Sequence, residues 1–347
     1  MLAWVLHGAE DLRREERAVP RPLAGQVLVR VERVGVCGSD VRYYQTGKVG
    51  TFTPTRPFVL GHEFSGQIID AGSEATGLAV GDRVAVDPAQ PCLRCDLCRE
   101  GRSNLCESTR YHGSAASDPP VDGAFCEVIA VPASNCHRLG DEVTYAAGAL
   151  LEPLGIATHA VQRAGELMGK SVVVSGGGPI GQLVATVSKA AGAAFVSVGD
   201  PLAYPRSVAA GRVDHAFDPT ADAGAAEIAE LTRGGPAVVF EAAGAAASLD
   251  WALANVRRGG RVVQIGHVPI PTTVSLHLVM TRELEITGSF RLGSDGFSAG
   301  AALVASGRIE IESLVSSVAS LDDVPSAIEA AADNDAEIKL QVSASHA

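Results

Sequence analysis

The chain has 347 residues, with 28 Lys and Arg against 40 Asp and Glu, and a formal net charge of −12. This length exceeds one typical hydrophobic core and predicts two domains, each able to bury a core without disulfides. The negative charge has the wrong sign for contact with a phosphate backbone and argues against nucleic acid as a partner.

The N-terminal sequence carries no sign of secretion. The stretch "MLAWVLHGAEDLRREE" becomes charged after ten residues and lacks a basic start and a small-residue cleavage site. The long uncharged run at 171–188 contains "SGGGP" and favours a strand, a turn and a helix over a membrane span. Seven cysteines in such a chain indicate a reducing compartment, where clustered thiols are more often metal ligands than disulfides. We therefore expect a cytoplasmic protein that does not associate with a membrane.

The first 150 residues predict a mainly antiparallel β domain. The candidate strands alternate apolar and polar residues between Gly and Pro turns, and helical runs are few. They are "QVLVRVERVGV", "GQIIDAG", "DRVAVDP" and "AFCEVIAVP".

The stretch "GHEFSG" in this domain begins like a zinc-protease motif, because Glu63 follows His62, but the second histidine of that motif is replaced by glycine. Neighbouring strand residues point to opposite faces, so both side chains reach one metal only at a bend, which Gly61 could permit. On its own, "GHE" would be a buried histidine and a solvated glutamate. The stretches "GVCGSD" and "LLEPLG" offer the missing partners, Cys37 and Glu152. A cysteine, a histidine and a carboxylate make the open ligand set of a catalytic zinc.

A second metal site is predicted in the lobe at about 90–107. Four of the seven cysteines lie within "PCLRCDLCREGRSNLC", with the spacing C-x2-C-x2-C-x7-C. That spacing lets one loop place four thiolates in a tetrahedron around a closed, structural zinc. The ligands are Cys92, Cys95, Cys98 and Cys106. Scattered buried thiols or disulfides would produce such clustering only by accident. Cys126 and Cys136 match no ligand and are expected to be buried apolar thiols.

From residue 170 to about 287 the sequence repeats a short apolar strand, a turn and an Ala-rich helical segment. The candidate strands are "SVVVS", "FVSVG", "HAFD", "AVVFE", "RVVQIG" and "LEITG", and the clearest helices lie at 182–191, 223–231 and 246–256. Six strands separated by helices predict a doubly wound parallel sheet that binds a nucleotide.

The stretch "SGGGPIG" follows the first of these strands and opens a helix, and Gly176, Gly178 and Gly181 fit G-x-G-x-x-G. Asp200 follows 19 residues after Gly181, at the end of the next strand, where an acid can bind the ribose hydroxyls of NAD. Arg206 could instead pair with the 2′-phosphate of NADP, but the carboxylate of Asp200 would repel that phosphate, so NAD is favoured over NADP. The candidate cofactor-binding residues are Gly176, Gly178, Pro179, Ile180, Gly181, Asp200, Arg206, Gly266 and Phe290.

Some 60 residues follow the sixth strand and end in the strand-like "EIKLQVSA". They are too few for a third core, so we expect them to return and complete the first domain. The predicted ranges are 1–153 with 289–347 for this domain and 154–288 for the nucleotide-binding domain.

The order of motifs resembles the zinc-dependent medium-chain dehydrogenase/reductase family over nearly the whole chain. The resemblance rests on "VGVCGSDVRYYQTGKVGTF", "PFVLGHEFSG", "GDRVAV", the four-cysteine lobe, "ALLEPLGIATHA", "GGGPIG" and "GSFR". Within that family, "CGSDVRYYQTGKVGTF" and "EPL" resemble the polyol branch of sorbitol, xylitol and L-idonate 5-dehydrogenases, and "RYHGSA" and "RAGELMGK" favour the idonate type. The resemblance implies a GroES-like catalytic domain, an inserted Rossmann domain, and a homo-oligomer with a tetramer favoured over a dimer.

The resemblance also implies roles for the residues around the catalytic zinc. Cys37 and His62 match ligands, Glu63 matches the third ligand, and Glu152 matches a carboxylate that binds the metal directly or through water. Asp40 matches the acid that orients the histidine ligand. Together with the cysteine lobe, this gives an expectation of two zinc ions per chain.

Three further residues match groups that act on the substrate. Ser39 matches the hydroxyl that relays the substrate proton, and Tyr43 and Arg291 match groups that line the polyol site. Arg42 and Leu292 depart from the branch, which commonly has histidine and an aromatic residue there, so the identity of the polyol stays open.

The predicted function is zinc-dependent hydride transfer from a secondary hydroxyl of a polyol or aldonate to NAD. The same zinc and hydride chemistry also fits a threonine or butanediol dehydrogenase with a different pocket. A scaffold or redox sensor that has lost catalysis would not need the ligand set Cys37, His62, Glu63 and Glu152.

Overall fold

The structure is a computed structural model that describes residues 1–332 and 335–344. The chain forms two compact units. The first consists of Met1–Glu152 with most of the C-terminal segment from Ala301 onward, and the second is essentially Pro153–Gly300. None of the helices in the described ranges combines the length and apolar character that crossing a bilayer requires.

Strands and helices are numbered in chain order across the described residues. The strands are β1 (Leu2–Gly8), β2 (Asp11–Glu16), β3 (Gln26–Gly35), β4 (Phe58–Val59), β5 (Glu63–Ala71), β6 (Arg83–Val86), β7 (Ala89–Gln90), β8 (Arg110–Tyr111), β9 (Val128–Pro132), β10 (Cys136–Arg138), β11 (Ser171–Ser175), β12 (Phe195–Gly199), β13 (His215–Phe217), β14 (Val238–Glu241), β15 (Arg261–Gln264), β16 (Glu285–Gly288), β17 (Val315–Ser320) and β18 (Lys339–Ser343). The α-helices are α1 (Gly38–Thr46), α2 (Asp96–Arg99), α3 (Tyr145–Ala149), α4 (Leu151–Ala164), α5 (Pro179–Ala190), α6 (Ala203–Ala210), α7 (Gly224–Leu231), α8 (Ala246–Asn255), α9 (Leu276–Arg282), α10 (Gly296–Ala305) and α11 (Val324–Ala331).

The first unit is built around a mixed, mainly antiparallel sheet in the order β10-β6-β5-β3-β18-β17, with β9 also paired to β3. The long strand β3 lies at its centre, antiparallel to β5, β9 and β18. The C-terminal strand β18 therefore lies between β3 and β17, as expected of the segment "EIKLQVSA". A smaller sheet, β2-β1-β4, packs into the same core, where Val34, Phe58, Phe64 and Phe125 are fully buried or nearly so.

The second unit contains a wholly parallel sheet in the order β13-β12-β11-β14-β15-β16. Each predicted strand is present and differs from its prediction by at most a few residues at its ends. The central strands β11, β12 and β14 are almost wholly buried, so they are apolar runs rich in Val and Phe, which makes them easy to find in a sequence. The antiparallel β unit and the doubly wound parallel-sheet unit confirm the predicted fold class.

The second unit extends beyond residue 288, where the sequence placed the boundary. The reason is local packing, because α10 begins against α4. A Cβ atom on Gly296 would lie 2.7 Å from the carbonyl oxygen of Gly155, and one on Gly300 would lie 3.0 Å from the side chain of Leu154. The predicted C-terminal range of the first domain also includes residues 333–334 and 345–347, which lie outside the described residues.

Candidate metal and cofactor sites

The structure brings Cys37, His62 and Glu63 together in the first unit, with one ligand atom of each within 4.8 Å of the others. His62 and Glu63 are buried, and Cys37 is half-buried at the N-terminus of α1. Glu152 is buried on the first turn of α4 and lies outside this group of three. The geometry therefore favours Glu63 as the first carboxylate of the site and leaves Glu152 as a neighbouring one.

The bend that the sequence required before His62 is present at Gly61. Gly61 has φ of 89°, in the left-handed region where glycine is strongly favoured. Strand β5 begins only at Glu63, so His62 stands before the strand and is not bound by its alternation of faces. Close backbone packing also requires Gly123, because a Cβ atom there would lie 2.2 Å from the carbonyl oxygen of Gly61. This packing fixes the direction in which His62 leaves the backbone.

Asp40 joins the chain segments that carry two of the candidate ligands. Its fully buried carboxylate accepts hydrogen bonds from the backbone N–H groups of Cys37, at 2.9 Å, and Gly61, at 3.2 Å. Its Oδ1 also lies 3.7 Å from Nδ1 of His62. Burial raises the pKa of Asp40, and the nearby His62 opposes that rise. Nδ1 of His62 has no hydrogen-bond partner in the described residues and has the carboxylate of Asp40 beside it, which leaves Nε2 for a metal.

A buried lysine that the sequence reasoning missed lies beside Glu63. Lys339 is the first residue of β18, and its ammonium group forms an ion pair with Oε2 of Glu63 and donates a hydrogen bond to the carbonyl oxygen of Val36 at 2.9 Å. Both side chains are 2% exposed. Room for them exists because position 35 is glycine, where a Cβ atom would lie 2.1 Å from Oε2 of Glu63. Burial lowers the pKa of Lys339, but the negative charges around it, Glu63 first, raise it overall.

Tyr111 is a second residue that the sequence reasoning did not single out. Its buried hydroxyl donates a hydrogen bond to Oε1 of Glu152 at 2.6 Å. Its ring packs edge-on against the imidazole of His62, with 5.9 Å between the ring centroids. Oε2 of Glu152 is buried and has no hydrogen-bond partner in the described part of the chain. Burial raises the pKa of Glu152 to about 7.

The charge of this cluster fits a cation. Four acidic side chains, those of Cys37, Asp40, Glu63 and Glu152, are gathered around a single buried lysine, Lys339. Uncompensated charge is costly in a protein interior. The pKa of His62 also indicates that the cluster favours a positive charge. Burial disfavours the charged ring, but Asp40 and then Cys37 raise the pKa well above its ordinary value. A divalent metal on Cys37, His62 and a carboxylate would supply the missing positive charge, and the donor set is one that zinc accepts.

The predicted substrate-facing residues are placed differently from one another. Ser39 is half-buried in the first turn of α1, two residues from Cys37. Tyr43 is 2% exposed within the hydrophobic core, and its hydroxyl accepts a hydrogen bond from the backbone N–H of Ala115 at 3.0 Å. That contact gives Tyr43 a structural role, and its assignment to the polyol site stays a prediction. Arg42 is exposed, as most arginines are.

The four-cysteine lobe has the geometry of a closed metal site. The sulfur atoms of its cysteines lie within 4.8 Å of one another; they belong to Cys92, Cys95, Cys98 and Cys106. Backbone N–H groups point at the sulfur of Cys92, and those of Arg94 and Cys95 lower its pKa to about 6, which favours the thiolate that zinc requires. Every cysteine in the described residues is free of disulfides. Cys126 is buried, Cys136 is half-buried, and burial raises the pKa of both to about 12, as expected for apolar thiols.

In the second unit, the glycine motif joins β11 to α5 by a turn with little room for side chains. Gly176 has φ of 105°, and a Cβ atom on Gly181 would lie 1.8 Å from the carbonyl oxygen of Gly176. Gly178 caps the helix with no side-chain hydrogen bond, and Pro179 is the first helical residue, followed by Ile180. A Cβ atom on Gly178 would meet no protein atom within 4 Å, so this position is open. The free helix N-terminus therefore fits a pyrophosphate.

Asp200 follows β12 and is held in place by two backbone groups. Its oxygens accept hydrogen bonds from the N–H of Gly177, at 2.7 Å, and the N–H of Leu202, at 2.8 Å. Arg206 donates to the backbone oxygen of Asp200 at 2.7 Å and lies 3.5 Å from a carboxylate oxygen of Asp218. The carboxylate of Asp200 is therefore fixed, and Arg206 already has an acidic partner.

The remaining candidates lie at the carboxyl ends of later strands. Gly266 follows β15 where a side chain is excluded, because a Cβ atom would lie 2.2 Å from the backbone nitrogen of Gly244. Phe290 is 40% exposed, and the guanidinium of Arg291 stacks over its ring at 4.7 Å. Leu292 is buried against Gly155 of α4, so it packs within the second unit.

Signals for the two missed residues were present but weak. Lys339 and Gln341 alternate with apolar residues in "KLQV", and a buried lysine on a central strand is rare unless it is paired. Tyr111 lies in "RYHGSA", a segment that resembles the idonate type but offers no local spacing that links it to Glu152.

The chain is similar to known dehydrogenases over nearly its whole length. The sequence profile of the alcohol dehydrogenase GroES-like domain matches residues 23–141, and that of the zinc-binding dehydrogenases matches residues 179–306. The D-xylulose reductase A of Aspergillus niger is 37% identical over 343 residues, which cover 94% of this chain and 92% of that protein. The crystal structure of L-idonate 5-dehydrogenase from Escherichia coli superposes with a TM-score of 0.92 at 33% identity and covers 99% of this chain and 98% of that one. A zinc-binding dehydrogenase of Sinorhizobium meliloti, solved with bound NADP, has a TM-score of 0.90 at 32% identity and covers 99% of each chain.

Proposed function

This chain belongs to the zinc-binding, GroES-like dehydrogenases of the medium-chain family, and we propose that it oxidises a secondary hydroxyl of a polyol or aldonate with hydride transfer to NAD. The observation that supports this best is the buried cluster of Cys37, His62 and Glu63 with Glu152 beside it. A structural metal site is usually closed by four ligands, whereas this group offers three and a nearby carboxylate. It therefore suits a metal that keeps a position for substrate.

The residues of the first unit would prepare this site in distinct ways. Zinc held by Cys37, His62 and a carboxylate would supply a Lewis acid that lowers the pKa of the substrate hydroxyl. Asp40 would hold His62 in the tautomer that presents Nε2 to the metal. Lys339 would limit the repulsion between Glu63 and the other acids of the cluster.

The proton and the hydride would leave by separate routes. We assign the relay of the substrate proton toward solvent to Ser39, which is half-buried beside Cys37 on α1. The hydride would pass to the nicotinamide ring of NAD, whose pyrophosphate would bind at Gly176, Gly178 and Gly181 and whose adenosine ribose would bind at Asp200.

The substrate class rests on the relatives and on the residues that line a polyol site. Their names refer to D-xylulose and to L-idonate, a pentulose and an aldonate. A site built for several hydroxyls leaves buried polar groups unpaired when a short alcohol binds, at about 1–3 kcal/mol for each group. We therefore propose activity on five- to six-carbon polyols or aldonates and poor activity on ethanol. Arg291 is the proposed contact for a carboxylate, whereas Arg42 is exposed and is not assigned to the substrate site.

A dehydrogenase screen tests this function. Purified, zinc-loaded protein would be assayed for NADH formation over xylitol, sorbitol, L-idonate, 2,3-butanediol, threonine and ethanol, with NADP in parallel. We expect turnover of at least one polyol or aldonate with NAD. Turnover of butanediol or threonine alone would reassign the substrate within the family, and no turnover of any alcohol by protein with two bound zinc ions would overturn the proposal.

The proposed homo-oligomer would use the exposed edge of the parallel sheet. Strand β16 ends the sheet order, and its Ile286 is 43% exposed. On the preceding helix α9, Leu276 and Met280 are 72% and 70% exposed. An edge strand with apolar neighbours suits pairing with the same strand of a second copy across a twofold axis. Light scattering would test this: Ile286→Lys should dissociate the assembly, and a wild-type monomer would refute it. The cytoplasmic location likewise stays a prediction.

A further inference from the structure

The ring and the hydroxyl of Tyr111 make separate contacts. The ring of Tyr111 is held by packing, because it lies edge-on to His62 inside the first unit. The hydroxyl adds one interaction, the 2.6 Å hydrogen bond to Oε1 of Glu152. A phenylalanine would keep the packing and lose only this bond.

That hydrogen bond makes the two oxygens of Glu152 unequal. Oε1 is occupied by Tyr111, whereas Oε2 is buried without a partner in the described residues. A hydrogen bond to one oxygen restricts the rotation of the carboxylate and determines which oxygen stays unpaired. Its unpaired oxygen is then available to a metal or to a water molecule bound there, and this is the arrangement in which a neighbouring donor orients a carboxylate.

The position of Tyr111 is itself set by the four-cysteine lobe. Tyr111 ends β8, which pairs with β7 in register Ala89 with Tyr111, and residues 91–109 between the two strands contain all four cysteines. The backbone N–H of His112 donates a hydrogen bond to the carbonyl oxygen of Pro88 at 3.1 Å, which extends this two-stranded ribbon by one more contact. A metal that closes the lobe would therefore also hold the strand from which Tyr111 reaches Glu152.

We propose that Tyr111 is a positioning residue: it fixes Glu152 through Oε1, so that Oε2 alone serves the metal site. This inference rests on the proposed function only for its catalytic consequence. The consequence for the metal site stands independently, because metal binding can be measured without substrate or NAD.

The test uses Tyr111→Phe, Glu152→Gln and the double variant in the full-length protein, with Tyr145→Phe as the matched control. Tyr145 belongs to the same unit and packs against Arg83, at 4.6 Å from its ring centroid. Thermal unfolding and the zinc content of the cysteine lobe would establish that each variant folds. The metal readouts are competition with a chelator and the visible spectrum of protein with cobalt at the catalytic site.

We expect Tyr111→Phe to lower the metal affinity or kcat by about 10- to 100-fold, the range typical of residues that orient a metal ligand, with KM for NAD unchanged. The cobalt spectrum should change, and Tyr145→Phe should match the wild type in every readout. In the Glu152→Gln background, the same substitution should have less than about a twofold further effect, because the two residues act as one unit.

Two results would overturn the inference. One is a Tyr111→Phe variant with wild-type metal affinity, cobalt spectrum and kcat. The other is a full effect of Tyr111→Phe in the Glu152→Gln background, which would show that the hydroxyl acts elsewhere. A wild type that oxidises no polyol or aldonate would refute the proposed function, while the chelator and cobalt measurements would still decide the role of Tyr111.

Discussion

Replacing Asp200 by asparagine should erode the preference for NAD. Asp200 is 8% exposed and accepts two backbone hydrogen bonds, so its carboxylate cannot swing away from a 2′-phosphate. Two unit charges about 4 Å apart repel by about 4 kcal/mol at an effective dielectric constant of about 20. If up to half of that is lost to relaxation and screening, about 2–4 kcal/mol remains, equivalent to roughly 30- to 1,000-fold in relative affinity. Asp200→Asn removes this repulsion while nearly preserving the shape of the side chain.

The assay is calorimetric titration of NADH and NADPH into the zinc-loaded protein without polyol, with kcat/KM for NAD and NADP as a second readout. We expect the ratio of the two affinities to move toward NADPH by at least about 30-fold. Asp218→Asn is the informative companion, because it releases the guanidinium of Arg206 from an acid 3.5 Å away and leaves Asp200 untouched. Its effect should be smaller, about 3- to 10-fold, since this pair is partly exposed. A change below about threefold for Asp200→Asn, or a wild type that prefers NADP, would refute the reasoning.

Three further predictions test separate parts of the structure. Gly181→Ala places a Cβ atom 1.8 Å from a carbonyl oxygen and should lower the free energy of unfolding by about 1–3 kcal/mol. In Gly178→Ala the added Cβ atom meets no protein atom within 4 Å, so this variant should weaken NADH binding without lowering stability. Equal unfolding curves for the two variants would contradict this. Cys98→Ser should lose one of the two zinc ions and lower the melting temperature, because metal binding contributes to folding at a closed site, and elemental analysis that still finds both ions would refute it. Lys339→Met leaves the buried carboxylate of Glu63 unpaired and should lower the free energy of unfolding in urea by about 3–5 kcal/mol. A double variant that also carries Glu63→Gln should recover stability. No recovery would show that the ion pair is not the cause.

The predictability of the fold differs between the two units for a physical reason. The central parallel strands of the second unit, β11, β12 and β14, are almost wholly buried, so their apolar runs mark them in the sequence almost to the residue. In the first unit, the sequence pattern does not reveal α1, because this helix is short. Its start is fixed by the hydrogen bond that the backbone N–H of Cys37 donates to the side chain of Asp40. Strand β5 begins at Glu63, before the predicted start at Gly66, because a buried acidic residue does not fit the apolar pattern of a strand. The elements that carry the candidate site are therefore harder to predict, because buried polar residues interrupt their apolar patterns.

The candidate site shows a similar division. Ligand types with a local signature, such as the cysteine spacing of the lobe and the pair His62 and Glu63 after Gly61, could be found because neighbouring residues carry the signal. Partners joined only by the tertiary fold could not: Lys339 reaches Glu63 across β3, and Tyr111 reaches Glu152 from a ribbon closed by the cysteine lobe. A buried charge must be compensated, so each acid of the site required a partner that the sequence did not reveal.

The partners of the two glutamates also bear on which of them binds the metal. Glu63 lies in the group with Cys37 and His62, yet one of its oxygens is engaged by a buried ammonium, which draws negative charge away from the metal. Glu152 stands outside that group, but its second oxygen is the one left unpaired, and a neutral phenol holds the first. A carboxylate shared with a lysine is a weaker metal ligand than one held by a neutral hydrogen-bond donor, because the ammonium competes for the same lone pairs. Glu63 would be the carboxylate that the geometry offers to a metal first, and Glu152 would add a second carboxylate whose Oε2 has no hydrogen-bond partner in the described residues.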